Sequence, residues 1–193
     1  MWRSANRIVL SGPVDNDMYF HFTDSFFSHI DENPKDPITV VINSEGGIPE
    51  IALGIYDLMQ SVNTPIYTIA NGYAHSSAFI IMLGADAKRR LAYPHTRFML
   101  HKGVQKDLPL SGDKELEVCG KELREINVAI MRIVSKNTHL SSQKVRMTFF
   151  NNTAPVYFNV QEAINWGFIS EVVKKTNYPT KAQPKSRKFL LLR

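Results

Sequence analysis

The chain has 193 residues, 44% of them hydrophobic, which suits one domain of ordinary size with a substantial core and excludes a disordered polypeptide. Its net charge of +5 is uneven: seven of the 23 basic residues fall between Lys174 and Arg193 with no acidic residue among them, leaving 16 basic against 18 acidic residues elsewhere. Basicity therefore belongs to a tail at 174–193 and not to a nucleic-acid-binding face on the body at 1–173, and the one cysteine, Cys119, permits neither an intrachain disulfide nor a cysteine metal cluster.

No run of about 18 apolar residues occurs, so no membrane span is expected. The start, "MWRSANRIVLSGP", lacks a long apolar signal region, which points to a cytoplasmic protein. "RIVLSG" (7–12) and "ITVVI" (38–42) read as strands, the second rich in β-branched residues. Between them, "DNDMYFHFTDSFFSHIDEN" has helical spacing of aromatics, with Asp15 or Asn16 as cap. Ile48, Ile51, Ala52, Ile55, Leu58, Met59 and Val62 follow an i, i+3, i+4, i+7 stripe, the mark of an amphipathic helix. Pro65 opens a strand, "PIYTIA", and from Ser77 "SAFIIMLGA" is apolar on every side, as a buried helix must be.

"TRFMLH" (96–101) predicts another strand, and a loop with Pro109 and Gly112 leads to the longest helix, Asp113 to Lys136. There Leu116, Cys119, Leu123, Ile126, Ile130 and Ile133 form a narrow seam suited to packing against another helix. "VQEAINWG" predicts a short helix stopped by Gly167, and "FISEVV" a closing strand. Strands alternating with crossover helices give an α/β class with largely parallel pairing. The apolar end of the tail, "KFLLLR", would suit docking on a neighbouring subunit.

Two stretches carry chemistry. "INSEGG" follows a buried strand and precedes a helix, which places it at the carboxyl end of the sheet, where α/β proteins bind ligands. The chain has no GxxxxGK[ST] loop, so ATP energy would have to come from another polypeptide. "GYAHSSAFI" (72–80) has the same strand–turn–helix setting and sets two serines beside a histidine at a helix entrance, where following amide hydrogens face the same space. A serine there is most often a helix cap. His101, closing the next strand, gives the serine a possible base on the same sheet edge.

These residues carry a resemblance. "NRIVLSGPVDN", "VINSEGG", "GIYDLMQ", "NGYAHSSAFIIMLGA", "RFMLHKG" and "QEAINWGFI" occur in the order and spacing of the proteolytic subunit of the ATP-dependent Clp protease, so that the chain resembles the ClpP family of serine peptidases from about Asn6 to Val173. The resemblance implies a ClpP/crotonase-like spiral of ββα units in a single peptidase domain at 1–173. It implies a serine-type endopeptidase working on peptides or unfolded proteins in an oligomeric chamber, with no cofactor and no metal. Heptameric rings, single or stacked, are the assembly it implies. The family's N-terminal docking segment for an AAA+ unfoldase is almost absent before Asn6, and the segment "KGVQKDLPLSGDKE" is shorter than the family's handle between rings. Both departures argue against unfoldase docking and double rings.

Matching the family's G-x-A-x-S pattern brings Gly72, Ala74 and Ser76 into line, making Ser76 the nucleophile, His101 the general base, and the amides of Gly47 and Ser77 the oxyanion hole. His75 is expected to be a bystander. The family's third residue is an aspartate; counting back from "YFNVQEA" gives Asn151, and counting forward from "HLSSQKVRM" gives Thr148, with Asn152 a neighbouring alternative. No carboxylate lies between Glu125 and Glu162. Asn151 is favoured, since a carboxamide oxygen can accept an imidazole N–H, as in Cys-His-Asn proteases. Two other readings share these residues: a catalytically silent structural subunit of mixed rings, and an acyl-CoA enzyme of the crotonase type.

Overall fold

The structure, a computed structural model, describes residues 6–103, 113–152 and 154–174. The basic tail beyond Lys174, the segment before Asn6 and the loop with Pro109 and Gly112 lie outside the described residues.

Three strands form the centre of the sheet: β1 (Arg7–Val14), β2 (Ile38–Gly47) and β3 (Ile66–His75), all parallel. Helix α1 (Asn16–Glu32) connects the first two; the Asp15 carboxylate caps it by accepting from the Met18 amide at 3.0 Å. Met18, Phe22 and Phe26, spaced by four, bury its inner face. Helix α2 (Pro49–Gln60) connects β2 to β3, opens on Pro49 instead of a side-chain cap, and buries Ala52, Ile55, Tyr56 and Met59.

Both β2 and β3 run further than the sequence predicts. "NSEGG" reads as a turn but continues β2, because the register shifts between Ser11 and Pro13 and between Ile42 and Ser44, and pairing then resumes. Such bulges let a strand carry on while re-aiming its backbone. β3 likewise continues to His75, directly against Ser76.

The far edge of β3 is shared. Thr68 to Ala70 pair with β4 (Arg90–Ala92), whereas Tyr73 to His75 pair with β5 (Arg97–Leu100), both parallel. β5 in turn pairs antiparallel with β6 (Val156–Asn159), and β4 pairs with β7 (Glu171–Val172). This split edge makes the sheet branch at β3, with β4 and β7 on one arm and β5 and β6 on the other. The sequence reading misses β4 and β6, which have three and four residues and too little alternation to be seen.

Helix α3 (Ser77–Met82) is buried at every residue. Helix α4 (Asp113–Lys136) packs Ile126, Ile130 and Val134 inward, while Leu116 and Val118 in its first turns are 56% and 68% exposed, so only half of the predicted seam packs within the subunit. α5 (Ser142–Val145) leads into a π-helical turn, Arg146–Phe150. α6 (Val160–Asn165) begins in a capping box of Asn159 and Glu162.

Two features hold the spiral together. Phe79, Phe98, Phe149, Phe158 and Phe168 are fully buried in one aromatic cluster, with ring centroids 5.0 to 6.1 Å apart. Phe79 belongs to α3 and Phe98 to β5, so the cluster fixes the two elements that flank the serine and the histidine, each ring contributing about 2–3 kcal/mol by burial. Arg90 is the second feature, only 2% exposed. Its guanidinium donates to the carbonyls of Ala85 (2.9 Å), Asn137 (3.2 Å) and Phe168 (3.3 Å) and to Asn137 Oδ1 (2.6 Å). Burial, partly offset by Tyr56 and Asp86, pulls its pKa down to about 10, still high enough to keep the charge at neutral pH.

Candidate active site

The split edge of β3 sets up the site. His75 pairs with Met99, and the Ser76 amide extends the same ladder by donating to the Met99 carbonyl at 2.8 Å. His101 lies two residues beyond Met99, so the serine and the histidine leave adjacent parallel strands at the same end. Ser76 Oγ and His101 Nε2 are 2.9 Å apart, within hydrogen-bond reach.

Ser76 adopts φ 52° and ψ −121°, and is the only non-glycine with positive φ among the described residues. A side chain in that region costs on the order of 1–3 kcal/mol and persists only when the surroundings enforce it. Here they do: β3 fixes one side of Ser76 and the buried helix α3 the other, forming a sharp strand-to-helix turn that presents the hydroxyl.

The glycine-rich end of β2 closes over that turn. Gly46 has φ +95°, and a Cβ there would lie 2.6 Å from the His75 carbonyl, 2.9 Å from Ser76 Cβ and 3.0 Å from the Ser77 amide nitrogen. Only glycine allows this approach. Gly47 is equally confined, since a Cβ would overlap the Val14 carbonyl. The Ser77 hydroxyl donates to the Gly47 carbonyl at 2.8 Å, tying the end of β2 to the start of α3. Ser77 is the first residue of α3, and amides in a first helical turn have no intrahelical acceptor.

The other expected residues stand apart. The Asn151 carboxamide donates to Met147 Sδ at 3.2 Å and is exposed; among the described residues no hydrogen bond joins it to His101. Thr148 supplies its carbonyl to Asn152 Nδ2 at 2.8 Å, and neither side chain bonds to His101. The segment contains a π-helical turn in which Asn151 N–H donates to Arg146 O, five residues back, so a residue can be inserted there inside a helix instead of a loop.

Among the described residues no hydrogen bond joins the His75 side chain to Ser76. Its ring lies between Tyr73, at 5.2 Å, and Tyr157, at 5.6 Å, and its Nε2 is buried without a partner among the described residues. Burial lowers its pKa, and nearby Arg97 lowers it further against a smaller opposing effect from Glu45. Among the described residues no group of His, Cys, Asp and Glu could hold a metal ion, and no helix is long and apolar enough to cross a membrane.

A largely parallel sheet that brings a strained serine within hydrogen-bond reach of a histidine, beside a glycine-lined turn, defines an α/β protein with a serine–histidine pair at a sheet edge. Comparison with known proteins narrows it. The family model described as Clp protease matches residues 2–176, and the chain belongs to the Clp protease family, a family of peptidases. It is 27% identical over 175 residues to the ATP-dependent Clp protease proteolytic subunit 2 of Treponema denticola, spanning 89% of this chain and 83% of that one. The proteolytic subunit of Deinococcus radiodurans is 28% identical over 173 residues, spanning 89% and 82%. Among solved structures, a mutant of ClpP1 from Listeria monocytogenes superposes with a TM-score of 0.79 at 22% identity, covering 88% of this chain and 92% of the other. That likeness shows the fold, the expected ClpP/crotonase-like spiral.

Proposed function

We propose that the chain is a serine-type endopeptidase that cleaves peptides or unfolded proteins, with Ser76 as nucleophile, His101 as general base, and the amides of Gly47 and Ser77 as oxyanion hole. The observation that carries this reading is the 2.9 Å approach of Ser76 Oγ to His101 Nε2 at a strained turn. A serine hydroxyl is a weak nucleophile until a base takes its proton. In the proposed cycle Oγ bonds to the scissile carbonyl carbon as its proton passes to Nε2. The two amides hold the oxyanion; losing one such donor typically costs about 3 kcal/mol. The C–N bond then breaks, the imidazolium gives its proton to the departing amine, and water releases the acyl group by the reverse sequence.

Asn151 is proposed to orient His101, which requires its carboxamide to leave Met147 and turn toward the imidazole. The assembly proposed is a homo-oligomeric ring of seven subunits in the cytoplasm, with the exposed start of α4 supporting an interface. A peptide chamber of this kind needs neither cofactor nor metal.

Labelling the intact chain with a fluorophosphonate, followed by mapping of the modified residue, tests the reading. Ser76 should carry the label, and Ser76→Ala should abolish both labelling and peptide hydrolysis. Label on another residue, or full turnover by Ser76→Ala, would refute it. Asn151→Asp should accelerate hydrolysis at least tenfold if residue 151 reaches His101, since the reverse exchange in the chymotrypsin-type triad costs about 10⁴. The present direction of Asn151 favours one second reading, a catalytically silent subunit in mixed rings. Activity only after co-assembly with another Clp proteolytic subunit would select it.

A further inference from the structure

Asn127 lies in the middle of α4, on a half-buried face next to Ile126, where asparagine is a poor helix former. Three hydrogen bonds engage its carboxamide. Oδ1 accepts from the Gly103 amide at 2.7 Å, and Nδ2 donates to the Gly103 carbonyl at 3.2 Å and to the Leu123 carbonyl at 2.8 Å. The three bonds agree on which atom is oxygen and which is nitrogen. One side chain thus pairs with both backbone groups of one residue, as a neighbouring strand would, and is itself anchored one turn back on its own helix.

The location gives this pairing a consequence. β5 loses its neighbour β3 after Met99 and its neighbour β6 after Leu100. The next residue is His101, and among the described residues the next hydrogen bond to the chain is at Gly103, from Asn127. His101 is therefore bracketed by a sheet on one side and a helix side chain on the other. Among the described residues its imidazole has no hydrogen-bond partner besides Ser76 Oγ. Its placement rests on the backbone.

We propose that Asn127 is a positioning residue that holds the His101 segment, from α4, at the distance Ser76 requires. The inference rests on the serine–histidine reading above. Among the described residues Asn127 makes no hydrogen bond to Ser76; it acts through the main chain of residues 101–103.

The test compares the second-order rate of fluorophosphonate labelling in the intact chain and its variants. Asn127→Leu keeps the size of the side chain and removes every bond; labelling should slow about ten- to hundredfold, the loss expected for a displacement of about 1 Å in a reacting group. Asn127→Asp keeps the acceptor for the Gly103 amide alone and should fall between the two. A His101→Ala background separates positioning from general damage: there Asn127→Leu should cost nothing further, because the group it positions is gone. Wild-type labelling by Asn127→Leu, or an equal loss with and without His101, would overturn the proposal. Should Asn127→Leu fail to fold, Asn127→Asp decides, through the same comparison in both backgrounds. Absence of label on Ser76 in the unmodified chain would instead sink the serine–histidine reading, and this inference with it.

Discussion

Replacing Gly46 by alanine tests the architecture of the serine turn, because two costs fall on one atom. The first is backbone strain: φ +95° is costly for an L side chain, about 1–2 kcal/mol. The second is contact. The new Cβ would sit 2.6 Å from the His75 carbonyl oxygen, and ordinary contact begins near 3.4 Å, so backbone must move by about 0.8 Å. None of the three neighbours is the free end of a flexible side chain; one is the last carbonyl of β3 and the others are Ser76 Cβ and Ser77 N. Overpacking of this kind adds about 1–3 kcal/mol.

The displacement falls on the serine itself. A shift of this size at a reacting group costs about a hundredfold in rate. Gly46→Ala should therefore slow fluorophosphonate labelling by about two orders of magnitude, with a melting temperature lower by about 2–4 °C for each kcal/mol lost. Gly12→Ala supplies the control: Gly12 has φ +88° but nothing within 4 Å of the added Cβ. It should incur the strain cost alone and keep the labelling rate. Equal slowing in both variants, or wild-type labelling by Gly46→Ala, would refute the claim that the glycine holds Ser76 in place by close contact.

Arg90→Met should destabilise the chain by about 3 kcal/mol in urea unfolding, since buried acceptors of Ala85, Asn137 and Phe168 lose their donor. Arg90→Lys should recover only part, an ammonium being unable to reproduce the planar fork; a Met variant within 1 kcal/mol of wild type, on the order of the error of such measurements, would argue that water replaces the guanidinium. His75 gives a pH dependence. Its pKa is lowered in the folded chain, so the unfolded chain binds that proton first as pH falls below about 6.5. Its contribution is whole above that value and drains as pH drops toward the folded value. His75→Phe, which keeps an aromatic ring between Tyr73 and Tyr157, should flatten the acid limb of melting temperature against pH, and an unchanged limb would assign the loss to other groups.

Much of this fold is legible in the sequence because its signals are local. The Ile48–Val62 stripe, the apolar run from Ser77 and the bounds of α4 each follow from spacing within one segment. β4 and β6 are not legible: Arg90–Ala92 becomes a strand only because β3 offers three unpaired residues beside it. The serine and histidine are legible as two strand ends, but that both strands use the second half of one β3 edge is a fact of pairing. The third position illustrates a deeper limit. A count along the chain assumes that each helical residue advances the register equally, and the π-helical turn at Arg146–Phe150 breaks that assumption without leaving a loop signal. Asn127 is invisible for the same class of reason, since nothing around it indicates that its partner is Gly103.

These features bear on how a histidine without a nearby carboxylate could work. General-base catalysis asks two things of the imidazole: the right place before the proton moves, and stabilisation of the cation afterwards. A buried carboxylate supplies both at once, which is why its loss is so damaging in the chymotrypsin-type triad. Here the first task has a separate solution in the backbone, with the β3–β5 pairing on one side of His101 and the Asn127 carboxamide on the other. The second has none among the described side chains. Position and charge are then separable. Asn151→Asp should raise the rate by supplying charge, Asn127→Leu should lower it by loosening position, and in the double variant the added carboxylate should recover part of the positional loss by gripping the imidazole directly. Effects that simply multiply would mean that the carboxylate supplies charge alone.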